Sequence, residues 1–166
     1  MDEILKIPFA AFNNDWNVLQ KFLERRGYPH YEITDNLDLR GINIESLGNL
    51  TSVEGDLFLG YSGIKSLGNL TSVGGGLFLG YTGIKSLGNL TSVGGWLDLW
   101  SSEIECLGNL TSVGGTMDLR RTKQLKTLGN LTSVGGYLNL GSTPLTEKYS
   151  EEEIRSMVKV GCILYY

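Results

Sequence analysis

Leu47-Gly48-Asn49-Leu50-Thr51-Ser52-Val53 decides the fold, because the same heptapeptide begins again at Leu67, Leu87, Leu107 and Leu128. The step is twenty residues, with one extra residue in the Arg120 to Leu125 stretch. Each copy runs into Gly-Gly or Glu-Gly and then into a short alternating segment. Those segments are Asp56-Leu57-Phe58-Leu59, Gly76-Leu77-Phe78-Leu79, Trp96-Leu97-Asp98-Leu99, Thr116-Met117-Asp118-Leu119 and Tyr137-Leu138-Asn139-Leu140. Asn36-Leu37-Asp38-Leu39 is a degenerate first member. Self-similarity at this period is the signature of a solenoid.

Alternation places Leu57 and Leu59 on one face and Asp56, Phe58 and Gly60 on the other. Followed round one coil, the inward set is Leu57, Leu59, Ile64, Leu67, Leu70 and Val73. Six apolar groups recover less free energy than ordering twenty residues costs, so one coil cannot stand alone. Stacking coils about 4.8 Å apart completes the backbone hydrogen bonds and closes the core. The expected fold is therefore a β-rich repeat solenoid with a parallel sheet of short strands. In it, the Asn49 to Asn130 column bonds backbone at each corner, while Gly48, Gly74, Gly75 and their equivalents permit the turns.

The ends read as helical caps, which a solenoid needs to seal its core. Residues 1–35 form the N-terminal cap, with an amphipathic helix over Asn14–Arg26 that turns Trp16, Leu19, Phe22 and Leu23 to one side. Asn14 or Asp15 starts it, and Gly27 with Pro29 stops it. About six coils occupy residues 36–145. Residues 146–166 form a C-terminal cap of helix plus strand. Ser150-Glu151-Glu152-Glu153 is a capping box ahead of Ile154, Met157 and Val158. Gly161 is expected to end that helix, and Cys162-Ile163-Leu164-Tyr165-Tyr166 to close the stack as a strand.

The Leu77-x-Leu79 pattern with Ile84 five residues on resembles leucine-rich repeats of the short kind, and the Val-Gly-Gly-x-Leu-x-Leu phrasing is similar to receptor-L-type repeats. The likeness covers Asn36 to Thr143. It departs from the usual pattern at Ser62, Thr82, Ser102 and Thr122, where Asn or Cys is customary, and at Gly74 and its equivalents, where a leucine is. Short proteins of this type occur in bacterial and bacteriophage genomes. The resemblance thus implies a leucine-rich-repeat type of solenoid and, for a viral gene, action on a host factor in the host cytoplasm.

Composition narrows the function. The chain has 166 residues, 41% of them hydrophobic, with 23 glycines against 3 prolines, the balance of a folded chain with many tight turns. A formal charge of −4 offers no footprint for duplex nucleic acid. No apolar run is long enough to span a bilayer. The start shows no basic leader before an apolar stretch, Cys106 and Cys162 match no metal or disulfide spacing, and Asn-Leu-Thr recurs as a glycosylation sequon in every coil. Together these favour a cytoplasmic setting.

Catalytic groups are sparse. His30 is the only histidine and lies in the link after the first helix. Neither cysteine has a histidine partner in the repeats, and no phosphate loop or nucleophile elbow appears. Asp98 and Asp118 fall about 5 Å apart on adjacent strands, a spacing seen in acid/base pairs, but a solvated surface explains them. The expectation is a protein that is not an enzyme and needs no cofactor or metal.

A partner is expected where columns vary while the scaffold repeats. Phe58, Phe78, Trp96 and Trp100 occupy the middle of the outward sheet face, with Tyr61 and Tyr81 at its margin. Asp98, Asp118, Arg120 and Arg121 supply charge around them. An aromatic centre with a charged rim is the composition of a binding hot spot. The alternative is that aromatics merely suit exposed strands and pair across them. The first functional reading is a non-catalytic binding module that holds a partner protein on this face. A second is capture of a small aromatic or phosphorylated ligand, such as a signalling nucleotide, stacked on Tyr61, Tyr81 or Trp100 and held by Arg120 and Arg121. The column Thr51, Thr71, Thr91, Thr111, Thr132 leaves a third, ice binding, beside a structural scaffold. A homo-oligomer through the C-terminal strand or the aromatic face stays open as well.

Overall fold

The computed structural model describes residues 4–165. The repeat folds as a parallel β-solenoid in which each coil carries two short strands rather than one. In chain order the elements are β1 (Leu5–Ile7), a 3-10 turn (Phe9–Phe12), α1 (Trp16–Glu24), β2 (Tyr31–Ile33), β3 (Leu37–Asp38), β4 (Leu50–Val53), β5 (Leu57–Phe58), β6 (Ser72–Val73) and β7 (Leu77–Phe78). There follow β8 (Ser92–Val93), β9 (Leu97–Asp98), β10 (Ser112–Val113), β11 (Met117–Asp118), β12 (Ser133–Asn139), α2 (Leu145–Lys148), α3 (Glu151–Met157) and β13 (Lys159–Leu164).

The strands sort into two walls. One runs β1-β2-β4-β6-β8-β10-β12, and the other β3-β5-β7-β9-β11-β12, all parallel. The longer β12 belongs to both walls, and β13 covers it along its length. Register is strict: Ser72 lies beside Ser92 and Val73 beside Val93, while Leu57 lies beside Leu77 and Phe58 beside Phe78. The second wall has six rungs, which five turns of chain connect. A third side is held by bridges such as Ser46–Ser66 and Ser86–Cys106, flanked by the ion pairs Glu45–Lys65 at 2.5 Å and Lys85–Glu105 at 2.9 Å.

The expected inward set is the core. Leu57, Leu59, Ile64, Leu67, Leu70 and Val73 are all buried, and so are their equivalents in the other coils except Ile44, which is half-buried. Position three after the second strand leucine also turns inward. There Thr82, Thr122 and Thr143 donate a hydroxyl to the strand carbonyl three residues back, at 2.7 to 2.8 Å, closing the turn. A hydroxyl bonded to its own turn meets the requirement that buried polar groups be satisfied.

Two expectations about the small residues need refinement. Gly48, Gly68, Gly88, Gly108 and Gly129 do turn the chain at positive φ of 57 to 60°. Gly74, Gly94, Gly114 and Gly135 serve a further purpose, since a Cβ there would lie 2.0 to 2.3 Å from a carbonyl oxygen of the preceding coil. They permit close stacking in addition to the bend that the chain makes at Gly74, Gly94 and Gly114. The asparagines form only a broken ladder: Asn69 Nδ2 donates to Asn49 Oδ1, while Asn49 Nδ2 donates to the Tyr28 carbonyl and Asn130 Nδ2 to the Gly108 carbonyl. The continuous ladder is threonine. From Thr51 to Thr132 each hydroxyl donates to the backbone carbonyl of the coil before it, at 2.9 to 3.0 Å.

Both caps are present. Asp15, not Asn14, starts α1, accepting from the amides of Asn17 and Val18. The helix buries Trp16, Leu19 and Leu23 against the first coil, with Phe22 half-buried. The Asp35 carboxylate accepts from the Phe9 and Ala10 amides, tying the 3-10 turn to the first coil. At the other end the capping box of Ser150 and Glu153 is complete. Ile154 and Val158 are buried as expected, but Met157 is exposed. The helix ends at Met157, and Gly161 lies inside β13 rather than ending the helix. Once Val158 has left the helix, pairing with β12 carries the chain onward as a strand. The expected Tyr166 end of that strand lies outside the described residues.

Candidate functional site

The second wall presents four outward columns, and the sequence varies in all of them. The first column holds Asn36, Asp56, Gly76, Trp96, Thr116 and Tyr137. The second holds Asp38, Phe58, Phe78, Asp98, Asp118 and Asn139. The third holds Arg40, Gly60, Gly80, Trp100, Arg120 and Gly141, and the fourth holds Gly41, Tyr61, Tyr81, Ser101, Arg121 and Ser142. Strand alternation makes the first three columns, because each inward leucine leaves its neighbours facing out. The fourth lies where the chain leaves the strand.

Strict register converts similar neighbours into stacks. The rings of Phe58 and Phe78 lie 4.8 Å apart and 9° from parallel, and those of Tyr61 and Tyr81 4.8 Å apart at 15°. Tyr81 then meets Trp100 edge-on at 5.1 Å. Five of the expected site residues therefore form two aromatic sets, Phe58 with Phe78, and Tyr61 with Tyr81 and Trp100. Trp96 makes no ring contact with either and stands 61% exposed at the margin, with Tyr61 70% exposed opposite. Phe58, Phe78 and Trp100 are half-buried, so part of their area is already covered by cross-strand pairing.

Charges bracket the aromatics. Arg40 pairs with Asp38 at 2.5 Å and lies over the Phe58 ring, its Cζ 5.1 Å from the centroid. On the far side Arg120 pairs with Asp118 at 2.6 Å and lies 5.5 Å over Trp100. The Arg40 guanidinium holds the Asp38 carboxyl below the usual carboxylate range. Arg121 lies 5.8 Å over Trp100 and makes no ion pair among the described residues. Sequence reasoning treated Arg120 and Arg121 alike, but Asp118 already occupies Arg120.

Asp98 and Asp118 are register partners, as their spacing suggested. Asp98 is half-buried and accepts from the Trp100 amide at 2.9 Å. Burial pushes its carboxyl above the ordinary range, against the Trp100 hydrogen bond and with help from the Asp118 charge.

Backbone geometry adds an observation that sequence reasoning missed. Tyr61, Tyr81, Ser101, Arg121 and Ser142 all sit in the left-handed region, with φ from 53 to 61°. The first coil uses Gly41 at this place, with φ 66°. A bulky residue there costs roughly 1 to 2 kcal/mol relative to glycine. The departure from Gly41 was the available signal.

No family model, curated protein or solved structure matches this chain. The site therefore rests on its own geometry.

Three concavities bear on it. A notch of about 300 Å³ lies between Trp100, Arg120, Arg121, Asn139 and Ser142, at the end of the set formed by Tyr61, Tyr81 and Trp100. The largest, about 780 Å³, runs along the other wall, floored by the repeating Ser, Val and Gly columns from Ser52 to Gly161. The glycine column required for stacking opens that groove, and the sequence offered no sign of it beyond the glycines. A third, of about 250 Å³, lies beneath the N-terminal cap beside Trp16 and Tyr31, whose phenol burial pushes up to about 12. His30 is exposed and lies in the link before β2. Among the described residues no helix is long and apolar enough to cross a membrane.

Proposed function

We propose that the protein is a non-catalytic binding module that holds a partner protein on the aromatic face of its second wall. The observation that carries this reading is the left-handed column. Tyr61, Tyr81 and Arg121 stand where glycine would relieve the backbone, and they are among the exposed residues of the face. A fold that tolerates strain at these sites gains nothing inside the core, since their side chains lie outside it; contact with a partner accounts for them. The exposed rings of Tyr61, Tyr81, Trp96 and Tyr137 supply the anchors, and the Asp38–Arg40 and Asp118–Arg120 pairs the polar rim. If the gene is a bacteriophage's, as the resemblance implies, the partner is a host protein.

The discriminating variant is Tyr61→Ala with Trp96→Ala. These two side chains are the most exposed aromatics of the face, so their loss should shift stability by no more than about 1.5 kcal/mol, the pairing of Tyr61 with Tyr81 included. Affinity capture from the source cell should retain a protein on the wild type and lose it on the variant. Equal retention by both would place the contact elsewhere and sink the reading. The half-buried Phe78 and Trp100 make a poorer test, because truncating stacked rings removes about 0.5 to 1.5 kcal/mol of pairing in addition to their packing.

A second reading has one specific observation in its favour. Arg121, uncommitted to any carboxylate, and Trp100 border the 300 Å³ notch, which suits a small planar anion such as a nucleotide. Native mass spectrometry would then reveal an added mass that denaturation removes and that Arg121→Ala abolishes. A clean mass leaves the protein-binding reading in front.

A further inference from the structure

The cavity of about 250 Å³ beneath the N-terminal cap lies between α1 and a corner of the first coil. Trp16 and Leu23 line it from the helix, Tyr28 from the link that follows, and Tyr31 from β2. No charged side chain lines it among the described residues. Its volume is that of about eight molecules of liquid water, enough for a single-ring compound.

Two donors in this cavity have nothing to bond. The Tyr31 hydroxyl and the Gln20 amide nitrogen are buried, and neither has a hydrogen-bond partner among the described residues. Tyr31 as a whole is only 2% exposed. Gln20 stands beside it, yet an amide N–H closing onto the phenol oxygen would leave the hydroxyl proton and the second amide proton unplaced. Burial pushes the Tyr31 phenol up to about 12, against the pull of the Gln20 amide, so it keeps its proton at neutral pH. Asn49, which also lines the cavity, is engaged through both ends of its amide, to Asn69 and to the Tyr28 carbonyl. Buried donors are rarely left unpaired, because each costs the fold its lost hydration.

The rim carries strain as well. Tyr28 is 50% exposed and holds a left-handed backbone at φ 54°, directly after Gly27 at φ 72°. Its N–H bonds to the Leu23 carbonyl at 3.0 Å, and its carbonyl accepts from Asn49 Nδ2 at 2.7 Å. A bulky side chain is thus fixed beside the cavity in a conformation that glycine would adopt more easily.

We propose that this cavity binds a small uncharged molecule bearing a carbonyl or similar acceptor oxygen, which Tyr31 and Gln20 hold between aromatic walls. The acceptor answers the two unpaired donors, and the walls of Trp16, Leu23 and Tyr28 take an apolar or planar body. An anion is disfavoured by the same burial that keeps the phenol protonated. The site shares no residue with the aromatic face of the second wall, so either can fail without the other.

Benzamide is the probe, with benzoate as its charged counterpart and toluene as the ring without an acceptor. In ¹⁵N-resolved NMR spectra of the full chain, benzamide should shift the Trp16 indole N–H and the Gln20 side-chain amide in a saturable way. Benzoate should bind at least about tenfold more weakly. Tyr31→Phe should weaken benzamide at least about fivefold and leave toluene unchanged, because only benzamide loses a hydrogen bond. The same variant without any probe should melt no lower than the wild type, since it removes a hydroxyl that had no partner. Four results would each overturn the proposal. They are no shift with benzamide or the smaller acetamide, shifts confined to Trp96 and Trp100, an equal effect of Tyr31→Phe on benzamide and toluene, and a clear loss of stability in the unliganded variant. The last would mean that the hydroxyl is already paired, with Gln20 or with a bound water.

Discussion

The two walls of the solenoid are built by the same coils and obey the same stacking, yet one repeats itself and the other does not. On the first wall every rung from β4 to β12 shows Ser-Val, followed after β4 by glycine. On the second wall no two outward columns keep one residue type from end to end. The first wall is constrained by contact with its neighbours at every position: valine inside, a threonine hydroxyl bonded to the coil before, and a glycine against a carbonyl. The second is constrained only on its inner face. Repetition here marks the positions that hold the fold, and variation marks those left available for recognition.

The comparison can be broken most sharply with glycine. Gly94→Ala on the first wall places a methyl group 2.1 Å from the Gly74 carbonyl oxygen, and two coils must separate to admit it. We expect a loss of roughly 3 kcal/mol in denaturant unfolding. The same change at Gly60 on the second wall meets only the Gly80 oxygen at 3.5 Å, an ordinary contact, and should cost less than about 0.5 kcal/mol. Equal effects would remove the distinction between the walls.

A smaller effect is expected from Thr91→Val, which keeps the shape and deletes one rung of the hydroxyl ladder to the Thr71 carbonyl. The expected loss is about 1 kcal/mol, read from the same unfolding curves. Cys106→Ser should act in the opposite direction. Ser46, Ser66, Ser86 and Thr127 each accept from the glycine amide two residues on, at 3.0 to 3.2 Å, and Cys106 breaks that series. Restoring the hydroxyl should add about 0.5 to 1 kcal/mol.

The smallest change concerns Asp98, whose folded-state pKa is raised by burial. A carboxyl raised on folding is destabilising when ionised, so its penalty is full at neutral pH. The penalty fades as pH falls through the raised value and is gone below the ordinary carboxylate range. Asp98→Asn should therefore be the more stable protein at neutral pH and lose that advantage on acidification. An advantage that stays constant with pH would mean Asp98 does not titrate as its burial requires.

The architecture was largely legible because its determinants are periodic. The two inward strand residues, as at Leu57 and Leu59, recur and are buried in every coil, and the Asp15 and Ser150–Glu153 caps use local chemistry that reads directly from neighbouring residues. The Ser-Val strands escaped notice because two residues cannot display an alternation. The stacking role of Gly74 was hidden too, since close approach between coils leaves no mark on the local sequence. On the candidate site, the outward placement of Phe58, Phe78 and Trp100 follows from alternation. Their stacking, the commitment of Arg120 to Asp118, and the left-handed backbone at Tyr61 depend on register and turn geometry between coils.

The near-identity of the rungs has a further consequence for how the chain finds its fold. The coils beginning at Leu47 and Leu67 differ at only a few positions, so a rung docked one place out of step would still match backbone, leucine and threonine partners. Nothing in the repeated core counts coils. Counting falls to the parts that do not repeat: the Asp35-anchored cap at one end, the extra residue before Leu125, and β12 with β13 at the other. Those irregular features act as the frame markers of the structure, and a chain deprived of them would have many equally good ways to start and none to stop.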